Sequence, residues 1–226
     1  MKNNLEKILQ NQKNVKVIDA SIDYKYYVSL DLSASNTDQL NLNLTDAIIF
    51  ENFIEDHLSK NNSKVAFGGY MEKRNLHRRS EVFKNEITEE RNIHIGLDLW
   101  IKAGTSVLAA LDGKIHSFQN NKALGDYGPT IILEHTIDNL TFYTLYGHLS
   151  LNSLIGKEVG QLIKKGQPIA ILGAPPINGD YAPHLHFQII KDIQGKKGDY
   201  PGVCSIKEVA FYKENCPNPN LLLKIQ

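Results

Sequence analysis

The spacing of apolar residues along this 226-residue chain changes near residue 91. Before that point the polar background is broken by two short β-type runs, Val15 to Ile18 and Tyr24 to Leu32. A helix is then predicted from about Asp46 to Leu58, with Thr45 as its N-cap. Ile49, Phe53, Ile54 and Leu58 fall at helical spacing and pack one face, while Glu51, Glu55 and Asp56 stay in water. His57, on the same helix, reads as a surface residue.

From Arg91 onward short apolar runs alternate with Gly, Asp and Asn punctuation, the texture of an antiparallel β domain. Asp112-Gly113 reads as a hairpin turn between Val107–Leu111 and Lys114–Phe118. Asp138-Asn139 does the same between Thr130–Glu134 and Leu140–Tyr146. Lys164-Lys165-Gly166 is a turn before Pro168–Gly173, and His184 to Ile190 forms a last apolar strand. The tail from Gly195 carries Pro201, Pro217 and Pro219 and reads as an irregular wrap that docks through Leu221 to Leu223. The pattern predicts a mainly β fold (α+β with its N-terminal extension) in three parts: an α/β extension over 1–90, a β domain over 91–192 and a C-terminal wrap over 193–226.

Composition narrows the function classes. A hydrophobic fraction of 42% fills a core, so a folded chain is expected. Lys+Arg 25 balances Asp+Glu 25, which gives no reason to expect nucleic acid or an anionic membrane as partner. The first ten residues contain no apolar signal core, and no run approaches a membrane span. The expectation is a cytoplasmic protein, or a periplasmic or cell-wall one if the sequence lacks its native N-terminus. Cys204 and Cys216, the only cysteines, are expected as free thiols.

Three histidine clusters carry the candidate chemistry: His94-Ile-Gly-Leu-Asp98, Tyr146-Gly-His148-Leu149 and His184-Leu-His186-Phe187. Each spacing alone is common; their ordered co-occurrence points to a metal site. On a strand, His184 and His186 project to one face about 6.5 Å apart, so one can bind metal while the other stays free. His94 and Asp98 would lie about 13 Å apart if fully extended, so a bend at Gly96 is needed to bring both to one ion. Two imidazoles and a carboxylate leave a fourth tetrahedral position open, as catalytic zinc requires, whereas a structural zinc would call for cysteines in this region. The spare histidine of the pair and His148 are the candidates for proton acceptor and charge stabiliser. His57, His77, His116 and His135, taken singly, read as surface or internally satisfied side chains.

The segment from about Ile93 to Gln188 resembles the lysostaphin, or LytM-type, zinc metallopeptidase family. The resemblance is carried by the three clusters together with Lys102-Ala-Gly-Thr105, Asp112-Gly113 and Lys165-Gly-Gln167-Pro-Ile169. It implies that His94, Asp98 and His186 bind one Zn2+ and that His148 and His184 attend the water. It also implies antiparallel β-sheets around a groove, and cleavage of peptide bonds, commonly in bacterial peptidoglycan stems or cross-bridges. Gln188 stands where the family usually has an acidic residue, and Gly173 to Pro183 is longer and richer in proline than the usual loop. The stretches Gly125–Thr130, Gly198–Gly202 and Pro217–Leu222 resemble a variant of the domain found in large bacterial proteins between phosphotransferase and aminotransferase regions.

The expected function is a zinc-dependent metalloendopeptidase. The alternatives are a zinc hydrolase acting on a cytosolic peptide or amide metabolite, and a non-catalytic regulator that holds a peptide in the groove. The presence of all five site residues weighs against the regulator.

Overall fold

The computed structural model describes residues 4–37, 42–74 and 90–226. Ahead of the histidine clusters come helix α1 (Asn4–Asn11), strand β1 (Tyr27–Ser29), helix α2 (Ala47–Lys60), and strands β2 (Val65–Gly68) and β3 (Glu72–Lys73). The clusters begin on β4 (Ile93–His94) and β5 (Leu97–Trp100), followed by β6 (Ser106–Leu108), β7 (Gly113–Asn121), β8 (Gly128–Ile137) and β9 (Leu140–Gly147). After them come β10 (Leu162–Ile163), β11 (Pro168–Ile171), β12 (His184–Ile190), β13 (Val203–Cys204), and helices α3 (Val209–Asn215) and α4 (Asn220–Leu223). No helix among the described residues is long and apolar enough to cross a membrane.

The fold is mostly β. Eight strands form the main sheet in the order β1-β2-β5-β12-β9-β8-β7-β10, antiparallel except for the parallel pair β1 and β2. β5 and β12 lie inside it with every residue buried, because both faces of the sheet are covered. Residues outside the β domain supply part of that cover. The α1 residues Leu5 and Leu9 and the α4 residues Leu222 and Leu223 enter the main core, while Phe50 and Ile54 of α2 pack with Trp100 in a third cluster.

Several sequence expectations are corrected. Val15 to Ile18 makes only an isolated bridge, Ile18 to Val107, and in the second run the strand is confined to Tyr27–Ser29 behind a 3-10 turn at Tyr24–Tyr26. α2 is capped by Asp46, whose carboxylate accepts from the N–H groups of Ile48 and Ile49; the Thr45 hydroxyl donates to Asn43 instead. The buried stripe is Ala47, Phe50 and Ile54, with Ile49 38% exposed, because Phe50 turns inward to pack edge-on against Trp100. Asp112-Gly113 joins no hairpin. β6 pairs with β11 in a separate two-stranded sheet, so the turn is a corner between sheets, and the Asp112 carboxylate accepts from the Lys165 N–H. Asp138-Asn139 is the hairpin turn expected, with φ of 51° and 61°. The tail docks as two short helices, and both cysteines are buried free thiols.

His57 is only partly exposed and donates through Nε2 to the Ser29 carbonyl, while His116 meets Ser117 Oγ at 2.8 Å. His77 lies outside the described residues. His135 is fully buried between the Asp112 carbonyl, 2.8 Å from Nδ1, and Thr144 Oγ1, 2.7 Å from Nε2. Burial pushes its pKa down from 6.5 to about 4. The unfolded chain therefore binds a proton below pH 6.5 that the folded chain refuses until about pH 4. Stability is expected to fall across that window, by up to about 3 kcal/mol from this residue. Urea unfolding at pH 7 and pH 4 checks this: the loss should be smaller in His135→Gln, and an equal loss in both proteins would refute it.

Candidate metal centre and active site

Strand alternation sorts core from chemistry. Along β12, Leu185, Phe187 and Ile189 enter the main core, so His184, His186 and Gln188 project from the other face. On β5, Leu97 and Leu99 face that core, leaving Asp98 and Trp100 on the histidine side. The register places His186 opposite Asp98 and His184 opposite Trp100. His94 ends β4, and a bend at Ile95-Gly96 separates it from Asp98 on β5, as the spacing required. Only glycine fits at 96, since a Cβ there would lie 2.4 Å from the His186 ring.

Three donor atoms converge. His94 Nε2 lies 2.9 Å from His186 Nδ1 and 3.3 Å from Asp98 Oδ1, and His186 Nδ1 lies 3.1 Å from Asp98 Oδ1. The tautomers follow from the opposite ring nitrogens. His94 Nδ1–H donates to the Gly69 carbonyl at 2.9 Å, and His186 Nε2–H donates to Gln188 Oε1 at 3.0 Å. In these tautomers the lone pairs of two imidazoles and a carboxylate face one point, where a cation could be held. A tetrahedral zinc site with ligands at about 2.1 Å has ligand–ligand edges of about 3.4 Å. The donor set and its spacing fit zinc, and these three residues could hold one metal ion.

The other two histidines stand beside this triangle. His148 follows β9 in the left-handed region, at φ 64°. Its Nδ1–H donates to the Asn178 carbonyl and that of His184 to the Ala182 carbonyl, each at 2.7 Å, which leaves both Nε2 atoms as bare lone pairs. The two rings lie 4.2 Å apart, and His184 Nε2 is 3.9 Å from Asp98 Oδ1. All five sequence-selected residues thus line one cleft, with a volume of about 220 Å³, along with Tyr127 and Trp100.

Burial dominates the electrostatics. It lowers the His94 pKa to about 4 and holds His148 well below its ordinary value, with His184 and His186 adding to the latter effect. Burial alone would raise the Asp98 carboxyl, but His94 and the Arg74 guanidinium hold it well below the usual range.

The sequence did not single out the residues that orient these groups. Gly69, Asn178 and Ala182 act through backbone carbonyls, which leave no side-chain signature, and Arg74 beside Lys73 reads as ordinary surface charge. Gln188, noted as a departure from the family pattern, has a defined task. It accepts from His186, donates to the Pro201 carbonyl at 3.1 Å and lies 3.3 Å from Cys216 Sγ. An ionised carboxylate there could accept but not donate onward.

Residues 92–199 match the model of peptidase family M23. This segment is a peptidase family M23 domain. The assignment makes it a metallopeptidase domain, and all five cleft residues fall inside it. The chain is 32% identical over 122 residues to the peptidoglycan DD-endopeptidase ShyB of Vibrio cholerae, covering 52% of this chain and 26% of that protein. It is 32% identical over 105 residues to an uncharacterized metalloprotease of Haemophilus influenzae, covering 46% and 20% of the respective lengths. The alignments thus span about a quarter or less of these curated relatives. Among solved structures, the catalytic domain of lysostaphin from Staphylococcus simulans aligns with 28% identity over 54% of this chain and 80% of that one, at a TM-score of 0.38.

Proposed function

We propose that the chain is a zinc-dependent metalloendopeptidase that hydrolyses peptide bonds in peptidoglycan stems or cross-bridges, with one Zn2+ held by His94, Asp98 and His186. The convergence of three potential donor atoms within 3.3 Å carries this reading. The M23 match and the peptidoglycan endopeptidase among the relatives support the substrate class.

Zinc bound there would supply Lewis acidity and bring the pKa of a water towards 7. The Nε2 lone pairs of His148 and His184 accept the proton of the attacking water, and the protonated ring then stabilises the developing oxyanion and returns the proton to the leaving amine. The Asn178 and Ala182 carbonyls hold both rings in the tautomer this requires. Asp98, the anionic member of the triangle, stabilises positive charge gathered at the centre.

The tethered 173–183 loop beside His148 favours a second substrate class, short peptides or small amides. Tyr181 packs against His148 and donates its hydroxyl to the Gly125 carbonyl, tying the 173–183 loop to the neighbouring Gly125-Asp126 segment of the cleft lining. Digestion of purified peptidoglycan and of a panel of short peptides, with products read by mass spectrometry and zinc by elemental analysis, tests both. The expected result is about one zinc per chain and new amino termini in the wall peptides. Cleavage confined to the short panel would transfer the assignment to the second class, and hydrolysis by metal-free protein would end the zinc reading.

A further inference from the structure

The layer of groups behind the metal triangle comes from chain that precedes the M23 match. β2 pairs with β5 so that Gly68 stands opposite Asp98, and β3 pairs with β4 so that Glu72 stands opposite His94. The next residue after β3, Arg74, is fully buried and donates through Nη1 to Asp98 Oδ2 at 2.6 Å. Its Nε donates to Glu72 Oε2, and Glu72 Oε1 accepts from the Leu32 N–H at 3.0 Å. A continuous chain of contacts therefore runs from Leu32 through Glu72 and Arg74 to Asp98.

We propose that Arg74, aimed by Glu72, is the positioning residue of the metal centre: it occupies Asp98 Oδ2, so that the carboxylate offers Oδ1 alone to the metal. The inference rests on the zinc reading above. Asp98 Oδ1 is the oxygen that faces His94 and His186, and Oδ2 is the one taken by Arg74. One-oxygen ligation keeps the fourth position open for water, whereas a free Oδ2 could enter the coordination sphere.

Arg74, Glu72 and Asp98 together carry a net charge of −1, which complements a divalent cation. Arg74 is poorly arranged as a purely stabilising ion pair, because its Nη2 is buried and finds no hydrogen-bond partner among the described residues. Gly69 accommodates this placement. A Cβ there would lie 1.8 Å from Arg74 Nη2 and 3.0 Å from His94 Nδ1, and the Gly69 carbonyl is also the acceptor that fixes His94. Residues 65–74 thus orient two of the three ligands, and the metal site extends beyond the matched domain.

The test compares the full chain with Arg74→Gln, Arg74→Lys and Glu72→Gln. It reads zinc affinity by chelator competition, the visible spectrum of the cobalt-substituted protein, and thermal unfolding of the metal-free form. Arg74→Gln is expected to weaken zinc about 10- to 100-fold. Its cobalt bands should lose intensity as the coordination number rises, and Arg74→Lys should restore part of the affinity. Glu72→Gln, which keeps an acceptor for Leu32, should shift the cobalt spectrum the same way by less, and it carries the test if Arg74→Gln does not fold. Affinity within twofold of the parent and an unchanged spectrum would overturn the role, as would lost metal-free stability without any change in affinity. A parent chain that binds neither metal would instead remove the zinc reading itself.

Discussion

His94→Ala, Asp98→Ala and His186→Ala are each expected to lower bound zinc from about one per chain to under about 0.1 after dialysis, and to lower peptide hydrolysis by more than about a thousandfold. Each substitution leaves two donors where three lone pairs met within 3.3 Å. Asp98→Ala should be the most damaging to the fold, since it strands the buried Arg74 guanidinium that now donates to it at 2.6 Å. His94→Ala is the cleaner variant, because it removes a neutral ring whose remaining partner is one backbone carbonyl. Elemental analysis on folded protein, checked by circular dichroism, decides the matter. A His94→Ala protein with full zinc and full activity would remove these residues from the site.

His148→Ala and His184→Ala should behave differently. Each is expected to cost about 10²- to 10⁴-fold in kcat while zinc content stays near one per chain. Neither ring belongs to the donor triangle, and both present a bare Nε2 held by a carbonyl on Nδ1. Because the rings lie 4.2 Å apart and serve the same proton, the double variant should lose far less than the product of the two single losses. Steady-state kinetics beside zinc analysis reads this directly. Zinc loss in either variant would make that histidine a metal ligand, and unchanged kcat in both would place the proton transfer elsewhere.

The convergence at the candidate site was legible in sequence because several of its side chains lie on a strand of period two. His184 and His186 share a face for the same reason that Leu185 and Phe187 share the other, and Gly96 marks the bend that lets His94 and Asp98 converge. The hairpin at Asp138-Asn139 was legible because adjacent left-handed residues favour a two-residue turn. Asp112-Gly113 carries a similar signal yet joins two sheets, a difference set by long-range pairing of β6 with β11. Local spacing in α2 offers several apolar stripes, and packing on Trp100 selects the one containing Phe50. The work of residues 65–74 was hidden because it depends on backbone carbonyls and on a pairing with β5 that no local pattern encodes.

The loop from Gly173 to Pro183 forms a wall of the cleft and also supplies the carbonyl partners of His148 and His184. Asn178 braces that loop internally, donating through its side-chain amide to the Tyr181 carbonyl at 2.9 Å, while the Tyr181 hydroxyl donates to the Gly125 carbonyl. In the proposed mechanism one loop would therefore set both the shape of the groove wall and the orientation of the two proton-accepting rings. Under that mechanism, a change in the loop that widened the groove would also shift the carbonyls that aim His148 and His184, so substrate fit and turnover would change together.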